Sequence, residues 1–164
     1  MKKIILILML LGIPFIGIAE ETWSVGEVVA QGKPVVYKFM SNQPELEIRN
    51  NFPWLTVVSW KYDGSKTNGM PNTEVNTAMI RLENGLDSIK GNGGLYRNVY
   101  SVTGNDIKEF AFYITDREKF MANFNDALSE HPAYPIQVSF YDDKVWADLS
   151  KLQKMFKNAA NKAN

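Results

Sequence analysis

Cysteine is absent from this chain and histidine occurs once, at position 131. Without thiols there are no disulfides, no thiolate metal sites and no thiol nucleophile, even in an oxidising compartment. One histidine excludes a two-histidine metal site within one chain, and leaves His131 as the sole imidazole for any Ser-His-Asp triad. Charge of one sign is also missing: 18 basic residues face 18 acidic ones. That balance carries no electrostatic footprint for nucleic acid or an anionic membrane. No internal repeat or low-complexity run occurs.

What the chain does have is an export-like start. Lys2-Lys3 precede an apolar run from Ile4 to Ile18, and the small residues Gly17 and Ala19 stand before Glu20. A basic start, a short apolar core and small residues are the pattern of a secretory signal, here with cleavage after Ala19. The run is shorter than the roughly 20 residues of a spanning helix, and Pro14 interrupts it. An uncleaved anchor is the competing reading. No cysteine follows the run, which excludes a lipoprotein anchor. The expected division is a signal peptide over 1–19 and one domain over 20–164, periplasmic or secreted, with no membrane span after cleavage. Loss of Lys2 and Lys3 leaves a slight acidic excess.

Patterning along the mature chain predicts alternating strands and helices. Trp23 to Ala30 and Val35 to Met40 read as a hairpin around Gln31-Gly32-Lys33-Pro34, a four-residue class of loop. Gly26 suggests a bulge. Residues 41–53 read as loop with one helical turn. Trp54 to Tyr62 is apolar on both faces, Leu55 and Val57 against Trp54, Val58 and Trp60, as in a strand covered on both sides. Pro71 to Lys90 reads as a helix with the stripe Val75, Met79, Leu82, Leu86 and Ile89. Pro71 or Asn72 opens it and Gly91 suits its C′ position. Gly85 inside it implies close approach to the sheet.

Leu95 to Val102 and Ile107 to Ile114 are strands around the turn Thr103-Gly104-Asn105-Asp106. Thr115-Asp-Arg-Glu118 reads as a capping box, leading into the stripe Phe120, Phe124, Leu128. Ile136 to Phe140 is a strand with one wet face. Asp142 or Asp143 caps a last helix carrying Trp146, Leu149, Leu152 and Phe156, with a frayed tail after Phe156. From Trp54 onward the order is βαββαβ. That is a ferredoxin-like α+β sandwich, with an N-terminal hairpin and a C-terminal helix added.

Chemistry-bearing motifs are sparse. Gly64-Ser-Lys66-Thr67 lacks the second glycine before the lysine that a phosphate loop requires. Asp142, Asp143, Glu83 and Asp87 lack the spaced loop of a hard-cation site, and caps and a solvated face account for them. The Lys-rich last helix reads as an ordinary surface helix. His131, beside Pro132 in a turn, favours a structural role. Four tryptophans carry more weight, since an indole suits cores and binding surfaces alike. The candidate binding surface comprises Trp60, Tyr62, His131, Tyr134, Asp143 and Trp146; burial in the core is the competing account for the tryptophans. No catalytic residue, cofactor or metal ligand is expected.

From about Lys33 onward the chain resembles the bacterial domain-of-unknown-function 695 family. The carrying pieces are Trp54-Leu-Thr-Val-Val-Ser-Trp60, Gly69-Met-Pro71, Arg81-Leu-Glu83 and Glu109-Phe-Ala-Phe-Tyr113. Phe124-Asn-Asp-Ala-Leu128, His131-Pro-Ala-Tyr-Pro135 and Asp143-Lys-Val-Trp146 complete them. The resemblance implies a ferredoxin-like domain and brings no catalytic residues. Some relatives look similar in fold to the regulator of ribonuclease activity B, which suggests protein binding by analogy; an export signal departs from that cytosolic picture.

Three functions stay open. The first is an exported, non-enzymatic binding or regulatory module with an envelope partner, using the hairpin edge and an aromatic rim at Trp60, Tyr62 and Trp146. The second is a small-ligand-binding domain or carboxylate-based hydrolase with Asp63 to Met70 as a lid. The third is an inhibitor or immunity-type protein. The residues leave oligomeric state open.

Overall fold

A computed structural model describes residues 21–89 and 94–163. The leader over 1–19 and the Gly91 cap lie outside the described residues. The elements are β1 (Trp23–Ala30), β2 (Lys33–Met40), α1 (Leu46–Arg49), β3 (Trp54–Lys61) and α2 (Thr73–Ser88). β4 (Tyr96–Gly104), β5 (Ile107–Ile114), α3 (Arg117–Ala127), β6 (Ile136–Asp142) and α4 (Ala147–Ala163) follow.

The six strands form one sheet in the order β1-β2-β4-β5-β3-β6, antiparallel at every neighbouring pair. The run β6-β3-β5-β4 is the strand order of the expected ferredoxin-like βαββαβ unit, and the N-terminal hairpin extends it beyond β4. Period-two alternation along the strands sends successive side chains to opposite faces. On one face Val58, Trp60, Phe110 and Phe112 pack under α2 (Met79, Leu82, Leu86) and α3 (Phe120, Phe124). On the other, Leu55, Val57, Ala111 and Tyr113 pack under Trp146 and α4 residue Leu149. Two cores on either side of one sheet explain why β3 and β5 are apolar on both faces.

Local chemistry sets the element ends. Asn72 accepts from the Val75 amide at 2.9 Å and so caps α2, leaving Pro71 outside the helix. Asp116, not Thr115, caps α3 by accepting from Lys119 N at 2.8 Å. The hairpin β1–β2 turns through two residues rather than four. Gln31 and Gly32 both hold positive φ (53° and 77°), and Lys33 and Pro34 already belong to β2. A two-residue turn of that hand matches the twist of the flanking strands. Likewise Asn105 and Asp106 (51° and 66°) turn β4 into β5.

Two glycines have reasons other than those expected. Gly26 is no bulge, because the β1–β2 register runs through it without a shift. A Cβ there would lie 2.2 Å from the Phe156 ring, so the missing side chain is the seat of a phenyl ring from α4. Gly85 admits not the sheet but Leu128 and His131, which a Cβ would meet at 2.8 and 2.9 Å. The tail after Phe156 is helical through Ala163.

Candidate functional site

The site begins with what fixes α4 across the sheet. Asp143 accepts from the amides of Ala147 (2.8 Å) and Asp148 (3.0 Å), and from the Tyr113 hydroxyl at 2.5 Å. Trp146 is fully buried, stacks on the Tyr113 ring and donates its indole N–H to Phe52 O at 3.1 Å. At the far end Phe156 stacks on Phe39 at 4.9 Å. These anchors hold α4 over the sheet, alongside the end of β4 and the start of β5.

There a cleft of about 530 Å³ opens between α4 and the sheet. Val35, Val102, Ile107, Leu152 and Met155 provide apolar walls; Tyr37, Tyr100, Glu109 and Asp148 provide polar groups. It continues past Tyr100, Glu109 and Asp148 into a second hollow of about 560 Å³ bordered by Ser59, Asp142 and Asp143. Tyr100 donates to Asp148 Oδ2 at 2.7 Å. Burial, reinforced by the Asp148 charge, holds the Tyr100 hydroxyl far above its ordinary range. Burial also raises Tyr37, with Glu109 adding to it. Burial raises the Glu109 carboxyl; a hydrogen bond from Ser59 (3.3 Å) opposes that, and the Asp148 charge adds to it. Lys151 borders both hollows. Yet neither Glu109 nor Asp148 has a lysine or arginine within ion-pair distance among the described residues.

The six residues singled out in the sequence fall on two faces. Trp60 is only 7 % exposed, with the Tyr134 ring 5.5 Å away on the α2–α3 side. The Tyr134 hydroxyl meets His131 Nδ1 at 2.9 Å, and Tyr62 donates to Gly69 O at 2.9 Å on the same side. Burial pushes the Tyr62 hydroxyl up to about 12. Trp146 and Asp143 belong to the opposite face. An aromatic rim joining Trp60, Tyr62 and Trp146 is therefore not formed: the sheet separates them, and both indoles are core.

The segment Asp63 to Met70 is tied down rather than lid-like. Gly69 N bonds Gly64 O, Asp106 N bonds Gly69 O, and Gly64 N bonds the Asp106 carboxylate. Lys33 closes an ion pair on that same carboxylate. Asp63 and Asp142 stand at opposite ends of β3, a strand of roughly 25 Å at 3.3 Å per residue, so they share no site.

A second surface is the edge strand β1, which pairs with β2 alone among the described residues. Its residues Trp23, Val25, Glu27 and Val29 are all exposed, Val25 at 72 % and Val29 at 71 %. The Lys38 ammonium sits 5.5 Å over the Trp23 ring.

The cleft residues Tyr37, Tyr100, Glu109 and Asp148 went unrecognised in the sequence. One signal was present: Glu109 interrupts an otherwise inward-facing row of Ile107, Ala111 and Tyr113 on β5.

Strand order and the helices on both faces define an elaborated ferredoxin-like α+β protein with a groove and an open sheet edge. The chain belongs to the Family of unknown function (DUF695), whose profile matches residues 21–151. The match begins ahead of β1, and so takes in Trp23 to Lys33, which precede the stretch that carries the resemblance. No curated protein matches the chain.

Proposed function

We propose that this protein is an exported, non-enzymatic binding module of the cell envelope, and that it captures an extended segment of a partner protein along β1. The observation that carries the reading is the edge itself. Eight residues offer one unpaired row of backbone donors and acceptors, beside the exposed valines 25 and 29. Main-chain pairing supplies affinity in strand addition, and alternate side chains supply selectivity. Edges that must stay free are blunted by charge, proline or bulges. β1 has an unbroken register with β2 and a single charge, Glu27. The opposite edge, β6, turns Gln137, Tyr141 and Asp142 to solvent instead. Export is supported by the leader pattern. Two of the side chains able to carry chemistry have structural employment, Asp143 as a cap and His131 against Tyr134.

The test is photo-crosslinking in cells with a photoreactive residue at position 25 or 29, and at 137 as control. One adduct of defined mass from positions 25 and 29, absent at 137, is expected. It should vanish when Val25→Lys is combined with the crosslinker at 29. No adduct, or the same adducts at 137, overturns strand capture along β1. Fractionation of the same cells tests export: the protein is expected in the soluble envelope fraction.

A further inference from the structure

We propose that the cleft between α4 and the sheet binds an organic cation, a primary amine or guanidinium carried on an aliphatic stem. The site is separate from β1 and does not depend on strand capture there. Its volume of about 530 Å³ lies within the range of small-ligand sites, which are mostly apolar with a few convergent polar groups.

Charge defines the ligand's sign. Glu109 lies on β5 with one hydrogen bond, the 3.3 Å contact from Ser59. Asp148 on α4 takes the Tyr100 hydroxyl at 2.7 Å. The two carboxylates repel each other, and no lysine or arginine of the described residues pairs with either. A partly buried charge without a counter-charge is costly, and a ligand cation placed between them relieves both desolvation and repulsion. The other ionisable groups facing the cleft are Tyr37 on β2, Tyr100 on β4 and Lys151 on α4, with Asp142 and Asp143 along its continuation. Lys151 is exposed and is the internal cation a ligand must outcompete. The tyrosine rings add a face on which an ammonium or guanidinium can rest.

The walls define the ligand's body. Leu152, Met155, Val102 and Ile107 suit methylenes, not a hydrated metal ion. Among the described residues no three acidic or imidazole side chains gather to hold a metal, and a hard divalent cation needs more oxygen ligands than two carboxylates supply.

The experiment titrates the protein with n-pentylamine, cadaverine and agmatine, and with n-pentanol, glutarate and Ca²⁺ as counter-probes. Amide NMR shifts locate binding and calorimetry measures it. Saturable shifts at Tyr100, Glu109 and Asp148 with the amines, and none with glutarate, are expected. Glu109→Gln should weaken amine binding about tenfold, the loss of one charge-assisted contact, without lowering the melting temperature. Lys151→Ala should leave amine binding intact or tighten it. Equal shifts with pentanol and pentylamine, unchanged affinity in Glu109→Gln, Ca²⁺ displacing the amines, or no shift in the cleft would each overturn the proposal. Tyr100→Phe is the second variant: it keeps the ring and removes the hydroxyl that holds Asp148, and a several-fold weakening is expected.

Discussion

The indole of Trp146 lies flat on the ring of Tyr113, 4.0 Å between centroids and 4° between planes. The residue before α4 is thus clamped between β5 and the Phe52 carbonyl. Its backbone sits at φ 57°, a left-handed geometry that is rare for a bulky side chain and persists only when surroundings over-determine it. Trp146→Ala is expected to destabilise by about 3–5 kcal/mol, the usual cost of deleting a buried aromatic. Tyr113→Phe keeps the stack and removes the hydroxyl bond to Asp143, so about 1–2 kcal/mol is expected. Urea unfolding measures both. Equal losses in the two variants would show that the hydroxyl, not the stack, holds the helix.

Trp60 and Val25 make a contrasting pair. Trp60→Ala in the α2–α3 core should cost about 3–5 kcal/mol, whereas Val25→Lys on the open edge should stay within about 0.5 kcal/mol. Thermal melts of the two variants decide it. A tolerant Trp60 would mean that the indole is not packed as described.

Gly26 and Phe156 are coupled by exclusion. Gly26→Ala places a methyl group where the phenyl ring lies and should destabilise by about 1–3 kcal/mol through overpacking. In a Phe156→Leu background most of that penalty should disappear. A double-mutant cycle measures the coupling, and additive losses would show that the two residues do not meet.

The raised groups make stability fall with rising pH in two windows. Glu109 has a folded pKa above its ordinary 4.5, so the native state holds the proton more tightly than the unfolded chain. Its contribution is intact below that ordinary value and is lost as pH climbs through the raised one. Glu109→Gln should therefore gain on the wild type as pH rises from acid to neutral, and match it at the acid end. Tyr62, Tyr100 and Tyr113 are also raised above 10.0. By the same sign, stability should decline from about pH 10 upward as the unfolded chain ionises first. Denaturation across pH and the phenolate absorbance of native protein check both windows. A wild type that gains on Glu109→Gln toward neutrality would contradict the raised carboxyl.

Local signals in the chain were enough for the elements and for which side of each was apolar. The alternation Phe110, Phe112, Ile114 against Ala111, Tyr113 and the helical stripe Met79, Leu82, Leu86 recur as the two cores, because periodicity is a property of neighbouring residues. Asn72 and Asp143 were legible as caps for the same reason. The cleft was not. Tyr37, Tyr100, Glu109 and Asp148 come from β2, β4, β5 and α4, and each looks ordinary in its own segment. They converge because non-sequential strands pair and because α4 is held over the sheet, by Trp146 on Tyr113 and Phe156 over Gly26. The same long-range packing separated Trp60 from Trp146, since it set helices on both faces of the sheet. Short-range patterning can assign a residue to a face. Which elements meet on that face, and what space they leave between them, depends on contacts between residues far apart in the chain.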